Sequence, residues 1–272
     1  LLKRSFEVSI ADIINPNIEN AEFIKCDISK DEDIETSFKN SYKFVYNLAG
    51  LANIDDAIKD PELCFNLNTL CNTKILSKCV ENNVSRFVYA SSAYATSHIG
   101  SFYGISKLSS EKIIQEYKLK YNLNFTILRY GSIYSELNFY NNYIYQLIKK
   151  ALETKKIIHE GDGTELREYI HASDAAKRSV DIIESSTHSN KCYILTGVDQ
   201  IERKVLFEMI KEISREKIDV IYKKNILKNH YRYSPYSYQP MNAKKFISNP
   251  QIDLGQGILN CIHNIKTEKN EL

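Results

Sequence analysis

Arg86-Phe87-Val88-Tyr89-Ala90-Ser91-Ser92 runs apolar for four residues and ends in two hydroxyls. A short, unbroken apolar run rich in aromatic and β-branched residues fits a strand covered on both faces, the condition of strands in a parallel sheet. Comparable runs lie at 7–11, 22–25, 43–47 and 124–129. Between them the apolar residues recur at helical spacing over 31–39, 60–81 and 102–121, as with Leu67, Leu70, Cys71, Ile75, Leu76 and Cys79. Alternating strands and helices predict βαβ units, and so an α/β fold built on a doubly wound parallel sheet.

Beyond residue 135 the pattern loosens. Helices are expected at 142–153, 173–184 and 204–215, with a strand at 192–195 and a last helix near 257–265. Gly161-Asp162-Gly163 punctuates a turn, and 230–240 reads as loop. The expected division is a first domain over 1–135, joined by about 172–195, and a second lobe over 136–171 and 196–272.

Hydrophobic residues make up 43% of the 272 positions, enough for a packed core. A formal net charge of +2 gives no electrostatic reason for nucleic acid or an anionic membrane as partner. No run reaches the length of a membrane span, and no signal peptide is visible. Cys26, Cys64, Cys71, Cys79, Cys192 and Cys261 are scattered, with no CxxC pair. Metal ligation is therefore not expected, and reduced thiols in a cytoplasm are the simplest reading.

Tyr-x-x-x-Lys on a helix sets a phenol and an ammonium on one face, one turn apart. A free phenol is a poor base at neutral pH, and a neighbouring cation favours its phenolate. Such a pair can take a proton from an alcohol while hydride leaves the same carbon. The spacing occurs twice, at Tyr103/Lys107 and Tyr145/Lys149, as chance alone would give with 19 tyrosines. Position decides between them. Tyr103 follows the strand that ends in Ser91-Ser92, and the carboxyl ends of parallel strands face the ligand crevice of an open α/β sheet. Tyr145 has no such neighbour and reads as packing.

The ordered set Phe87-Val88-Tyr89-Ala90-Ser91-Ser92, Tyr103-Gly104-Ile105-Ser106-Lys107 and Leu128-Arg129-Tyr130-Gly131-Ser132-Ile133-Tyr134 resembles the extended short-chain dehydrogenase/reductases. Within them it is most similar to the NAD-dependent epimerase/dehydratases of the UDP-glucose 4-epimerase type. Asn47-Leu48-Ala49-Gly50 and Arg167-Glu168-Tyr169-Ile170-His171 continue the match along nearly the whole chain. The resemblance implies a Rossmann-type sheet, a smaller C-terminal substrate lobe, NAD as cofactor and a nucleotide-sugar substrate.

It also implies roles. Tyr103 would be catalytic base and acid, Lys107 would hold the nicotinamide ribose, and Ser92 would bond the reacting hydroxyl. Asp12 would accept the adenosine ribose hydroxyls, Asp27 and Ile28 would bracket the adenine, and Leu48, Ala49, Gly50 and Asn68 would border the cofactor. Arg167 would clamp the diphosphate with its guanidinium fork; Arg232 could be a second phosphate ligand, though its surroundings match the family poorly. Each polar residue has a plainer alternative. Asp12 and Asp27 could cap turns or helices, and Ser92 could be only a strand-end hydroxyl. Asn68 could lie on a helix surface, and Arg167 could pair with Glu165 or Glu168. His171 reads as orienting backbone. The apolar stripes of the helices at 60–81 and 102–121 imply, by the same resemblance, a homodimer.

The sequence departs from the family pattern in three places. No G-x-x-G-x-x-G turn precedes Gly50, the first glycine, and the strand that would carry it is missing from the centre of the sheet. With an opening Leu1-Leu2-Lys3-Arg4 that reads as the last turn of a helix, this predicts a piece of a chain about 20–30 residues longer. Only eleven positions separate Ser92 from Tyr103, which reshapes the sugar pocket. Ala93-Tyr94 stand where the family's 4,6-dehydratases carry an Asp-Glu pair, which argues against dehydration. The sequence therefore predicts 4-epimerisation of a UDP-hexose, with a nucleotide-sugar reductase or dehydrogenase, or a non-catalytic dinucleotide-binding module, as the alternatives.

Overall fold

A computed structural model describes residues 1–97, 99–139, 142–223, 232, 243–246 and 249–270. After a 3-10 turn at Leu2–Arg4 come β1 (Ser9–Asp12), β2 (Glu22–Lys25), α1 (Asp31–Ser37) and β3 (Phe44–Asn47). Then follow α2 (Ile54–Lys59), α3 (Pro61–Phe65), a π turn (Asn66–Leu70), α4 (Cys71–Glu81) and β4 (Arg86–Ser92). A 3-10 turn (Ala93–Thr96) leads to α5 (Ser101–Tyr121), β5 (Phe125–Tyr130) and β6 (Ser132–Tyr134). Next are α6 (Tyr143–Thr154), β7 (Lys156–Glu160), β8 (Leu166–Arg167), β9 (Tyr169–His171), α7 (Ala172–Ile183) and β10 (Lys191–Leu195). The remainder is β11 (Ile201–Glu202), α8 (Arg203–Ser214), β12 (Asp219–Lys223), β13 (Lys244–Lys245) and α9 (Leu254–Asn270). The predicted loop at 230–240 lies outside the described residues, apart from Arg232.

The α/β expectation holds: a five-stranded parallel sheet has the order β13-β10-β5-β4-β3. β1 and β2 form a separate parallel ladder, in register from Ser9↔Glu22 to Asp12↔Lys25. β1 shares no ladder with β3 among the described residues, though Phe6 meets Phe44 edge to face at 6.4 Å.

The chain divides into two compact units, Leu1–Leu128 with Val180–Cys192, and Arg129–Ser179 with Tyr193–Leu272. In the first, β4 is buried along nearly its whole length, as its apolar run requires. Its core gathers Leu76 and Cys79 of α4, Phe87 and Tyr89 of β4, Ile114 of α5 and Ile127 of β5. Apolar residues one helical turn apart on α4 thus meet the face of the strand beside them. In the second unit α6, α8 and α9 supply Ile148, Phe207 and Ile262 to one core. Tyr145 is wholly buried there, with its hydroxyl donating to Glu268 Oε2 at 2.9 Å.

The helix expected over 60–81 runs from Pro61 to Glu81, with α3 and α4 joined through the π turn. Asp60 precedes Pro61, and the residue before proline is pushed out of the helical region; here its φ is −135° and ψ 80°. Asp60 then caps α3 through the Leu63 amide, and Asn53 caps the preceding α2 through Asp55 and Asp56. The π turn at Asn66–Leu70 makes one irregularity in the stretch. Such bulges admit an extra residue and re-aim the side chains around it.

Candidate active site

The site is built at the end of β4. Ser92 closes that strand, and its Oγ accepts the amide of Tyr94, 3.2 Å away, in the 3-10 turn that follows. Tyr94 is drawn close to α5 because position 104 is glycine: a Cβ there would come within 2.7 Å of the Tyr94 carbonyl oxygen. The Tyr94 ring meets the Tyr103 ring edge to face at 6.3 Å. Tyr103 is only 8% exposed, and its hydroxyl faces that of Ser92. Burial pushes the Tyr103 phenol above its ordinary value; the Ser92 hydroxyl opposes this and the nearby Cys64 thiol adds to it.

Lys107 lies one turn further along α5, and its amine donates to the Ala90 carbonyl at 2.9 Å. It also stands 4.9 Å from the centroid of the Tyr89 ring. Burial lowers the Lys107 ammonium to about 8. The cation that the Tyr-x-x-x-Lys spacing places beside the phenol is thus seated on the strand carbonyl, within reach of losing its proton near neutral pH.

The π turn aims Asn68 inward. Its Oδ1 accepts the Leu51 amide at 2.8 Å, and its Nδ2 donates to the Leu51 carbonyl at 3.0 Å and to Ser106 Oγ at 2.9 Å. Ser106 in turn donates to the Tyr103 carbonyl at 2.8 Å. Asn68 is fully buried, so it is no helix-surface residue; it ties the loop after β3 to the helix of Tyr103. Gly50, in that loop, has φ +143°, and a Cβ would collide with Asn68 Oδ1 and come within 3.9 Å of the Lys107 amine. Only glycine holds this backbone so close to the buried polar cluster. Leu48, two residues before it, is 66% exposed, and Ala49 is exposed too.

The other residues singled out from the sequence fall elsewhere in the two units. In the first, Asp12 ends β1, exposed, with Oδ1 accepting the Ile14 amide at 3.1 Å. Asp27 follows β2 and accepts both the amide and the hydroxyl of Ser29, at 3.0 and 2.7 Å. Those bonds hold its carboxyl below the ordinary value. Ile28 packs against the core that contains Leu76 and Phe87.

In the second unit Arg167 is buried on β8, with Nη1 donating to the Leu166 carbonyl at 2.8 Å. It is not on the surface; of the neighbouring carboxylates, Glu165 meets His159 at 3.0 Å and Glu168 meets Lys245 at 2.8 Å. The Arg232 carbonyl accepts the Leu166 amide, so its backbone runs beside β8. Its exposed guanidinium donates to Asp162 Oδ2 at 3.1 Å and Thr164 Oγ1 at 2.9 Å, on the glycine-flanked turn. His171 accepts the Ser173 amide at Nδ1 and bonds Glu136 through Nε2 at 2.8 Å, so it orients the start of α7.

The structure therefore brings Ser92, Tyr103, Lys107, Asn68 and Gly50 into one cluster. It adds residues the sequence did not single out: Tyr89, Ser91, Ser106 and Glu111. Their one signal was spacing, since Ser106 and Glu111 share the α5 face with Tyr103 and Lys107. A buried phenol facing a serine hydroxyl, with a lysine one turn away, is equipped to exchange a proton with an alcohol. Among the described residues no group of His, Cys, Asp or Glu is arranged to hold a metal ion, and no helix is long and apolar enough to cross a membrane.

A sequence model of the NAD dependent epimerase/dehydratase family matches residues 4–194. The putative UDP-glucose 4-epimerase of Methanocaldococcus jannaschii is 26% identical over 292 residues, spanning 98% of this chain and 92% of that protein. The UDP-glucuronic acid 4-epimerase of Bacillus cereus, solved with UDP-glucuronic acid and NAD, superposes with a TM-score of 0.85 at 20% identity, covering 98% of this chain and 94% of its own. The UDP-glucose 4-epimerase of Thermotoga maritima, solved with UDP-glucose, gives 0.82 at 18% identity, with 98% and 93% covered.

Proposed function

The chain belongs to the NAD dependent epimerase/dehydratase family, and from that premise we propose that it is an NAD-dependent nucleotide-sugar epimerase that inverts the C4 hydroxyl of a UDP-linked hexose. The observation that carries the reading is the cluster of Ser92, Tyr103 and Lys107 at the end of β4, with Gly50 beside it.

The residues fit a dinucleotide. Gly50 presents bare backbone next to the Lys107 amine, a place that a side chain would fill. Leu48, Ala49 and Gly50 would border the cofactor, Lys107 would bond its ribose, and Asp12, Asp27 and Ile28 would hold the adenosine end. Asn68 serves the same site indirectly, by fixing the Gly50-Leu51 backbone. When bound, NAD supplies the hydride acceptor and donor for the sugar carbon.

Tyr103 would take the proton of the C4 hydroxyl and later return it to the C4 oxygen, the 4-keto sugar having turned so that its other face receives the hydride. Ser92, whose Oγ already accepts the Tyr94 amide, uses its own hydrogen to bond the reacting oxygen or the phenol. The protonated Lys107 favours the phenolate. Arg167 and Arg232 would hold the diphosphate. In this reading residues 1–135 with about 172–195 bind NAD, and 136–171 with 196–272 bind the sugar nucleotide.

The decisive assay follows UDP-glucose, UDP-galactose and UDP-glucuronic acid by proton NMR in the presence of NAD, with NADH absorbance recorded in parallel. Interconversion of C4 epimers without net NADH is expected. Stoichiometric NADH would mark a dehydrogenase instead, and inertness toward every sugar nucleotide would remove the enzymatic reading.

A homodimer and a cytoplasmic setting belong to the same proposal. Phe102, Ile105 and Leu108 of α5 and Leu70 before α4 are exposed apolar side chains, the kind of surface a second copy would cover. Light scattering is expected to give about twice the chain mass, and Ile105→Glu with Leu108→Glu to return it to one chain. All six cysteines are free, as a reducing compartment would keep them.

A further inference from the structure

Tyr103, Lys107 and Glu111 are spaced by four along α5, and all three are buried. Three consecutive residues of β4 receive them. The Ala90 carbonyl accepts the Lys107 amine, the Ser91 hydroxyl donates to Glu111 Oε1 at 2.5 Å, and the Ser92 hydroxyl faces that of Tyr103. Glu111 is 2% exposed. A carboxylate taken so far from water is strongly unfavourable unless a cation and hydrogen bonds compensate it. Ser91 supplies a hydrogen bond, and the charge of Glu111 is felt at Lys107.

We propose that Glu111 is a positioning residue of this site: its negative charge keeps Lys107 protonated in a buried place, and its bond to Ser91 fixes the end of β4 that carries Ser92. The inference rests on the assignment of Tyr103 and Lys107 to the chemistry. The titratable groups near the Lys107 amine are Tyr89 of β4, Cys64 of α3 and Glu111 of its own helix. Glu111 is the carboxylate in that set. Burial drives Lys107 toward the neutral amine, and Cys64 and then Glu111 oppose it. The lysine must keep its proton to favour the Tyr103 phenolate, so the carboxylate acts on the base through the lysine.

The test compares two variants with the parent protein. Glu111→Gln keeps the shape and the bond from Ser91 but removes the charge. Ser91→Ala keeps the charge and removes the bond. Lysine side-chain NMR of the isotope-labelled protein, with the Lys107 signal assigned by its loss in Lys107→Met, reads the protonation midpoint without NAD or sugar. In Glu111→Gln that midpoint is expected to fall by about one pH unit, with the alkaline limb of the turnover profile moving down by the same amount. In Ser91→Ala the midpoint is expected to stay near the parent value while turnover falls. An unmoved Lys107 midpoint in Glu111→Gln, or an equal displacement in Ser91→Ala, would overturn the proposal. Because the titration needs no substrate, it stands or falls separately from the epimerase assignment.

Discussion

Tyr103→Phe is expected to lower epimerase turnover by about 10²–10⁴-fold, the range a positioned general acid–base group contributes. The ring stays, so its edge-to-face contact with Tyr94 and its place in the cluster with Ile54, Ala57 and Cys64 survive. Ser92 Oγ keeps the Tyr94 amide as partner. Loss of one hydroxyl hydrogen bond is therefore worth only about 1 kcal/mol of stability. NAD binding, followed by fluorescence titration, should be unchanged. The effect belongs to the chemical step because burial has raised the phenol and the Ser92 hydroxyl and Lys107 must bring it into reach. Parent-like turnover in a folded, NAD-binding Tyr103→Phe protein would remove the phenol from the mechanism and with it the reading of the whole cluster.

Asn68→Leu is expected to destabilise the protein by about 2–4 kcal/mol, measured by urea unfolding. One amide group satisfies the Leu51 amide and carbonyl and the Ser106 hydroxyl at once. Leucine has nearly the same volume and none of those bonds, so several polar groups lose their partner without creating a cavity. The functional consequence should exceed what the stability loss alone predicts. Gly50 is kept at φ +143° against Asn68 Oδ1, and without that anchor the backbone at positions 48–51 no longer presents one fixed surface. NAD affinity is expected to drop at temperatures where the variant is still folded. A variant that unfolds earlier yet binds NAD as the parent does would show that the loop holds its shape without Asn68.

Much of the site was legible along the chain. The run that became β4 marked itself by continuous apolar residues, because a strand covered on both faces has no polar side to show. The choice of Tyr103/Lys107 over Tyr145/Lys149 needed only the preceding strand end. The structure puts Tyr145 in the core of the second unit, bonded to Glu268. The strand at Glu22–Lys25 and the body of α5 also follow from local composition and periodicity.

Other features depend on partners far away in the sequence. β6 exists because Ser132–Tyr134 pair with Tyr169–His171, and β7 because Lys156–Glu160 pair with Asp219–Lys223. Segments of three to five residues carry too little pattern to announce such a ladder. Helical spacing over 60–81 concealed the cap at Asp60 and the π turn that aims Asn68 at Leu51.

By itself, then, the order of residues determined an α/β chain in which one strand ends in two hydroxyls and the helix after it carries a phenol and an amine one turn apart. These are local properties: side-chain periodicity, strand length and the spacing of neighbours on one element. Which polar groups are buried, and on what, was decided only when β4, the π turn and α5 came together. Burial raised the phenol of Tyr103, lowered the amine of Lys107 to about 8 and enclosed Glu111 beside Ser91. Charge stability in a protein depends on the distance to water and to other charges, and neither distance is written in the spacing of residues along a chain.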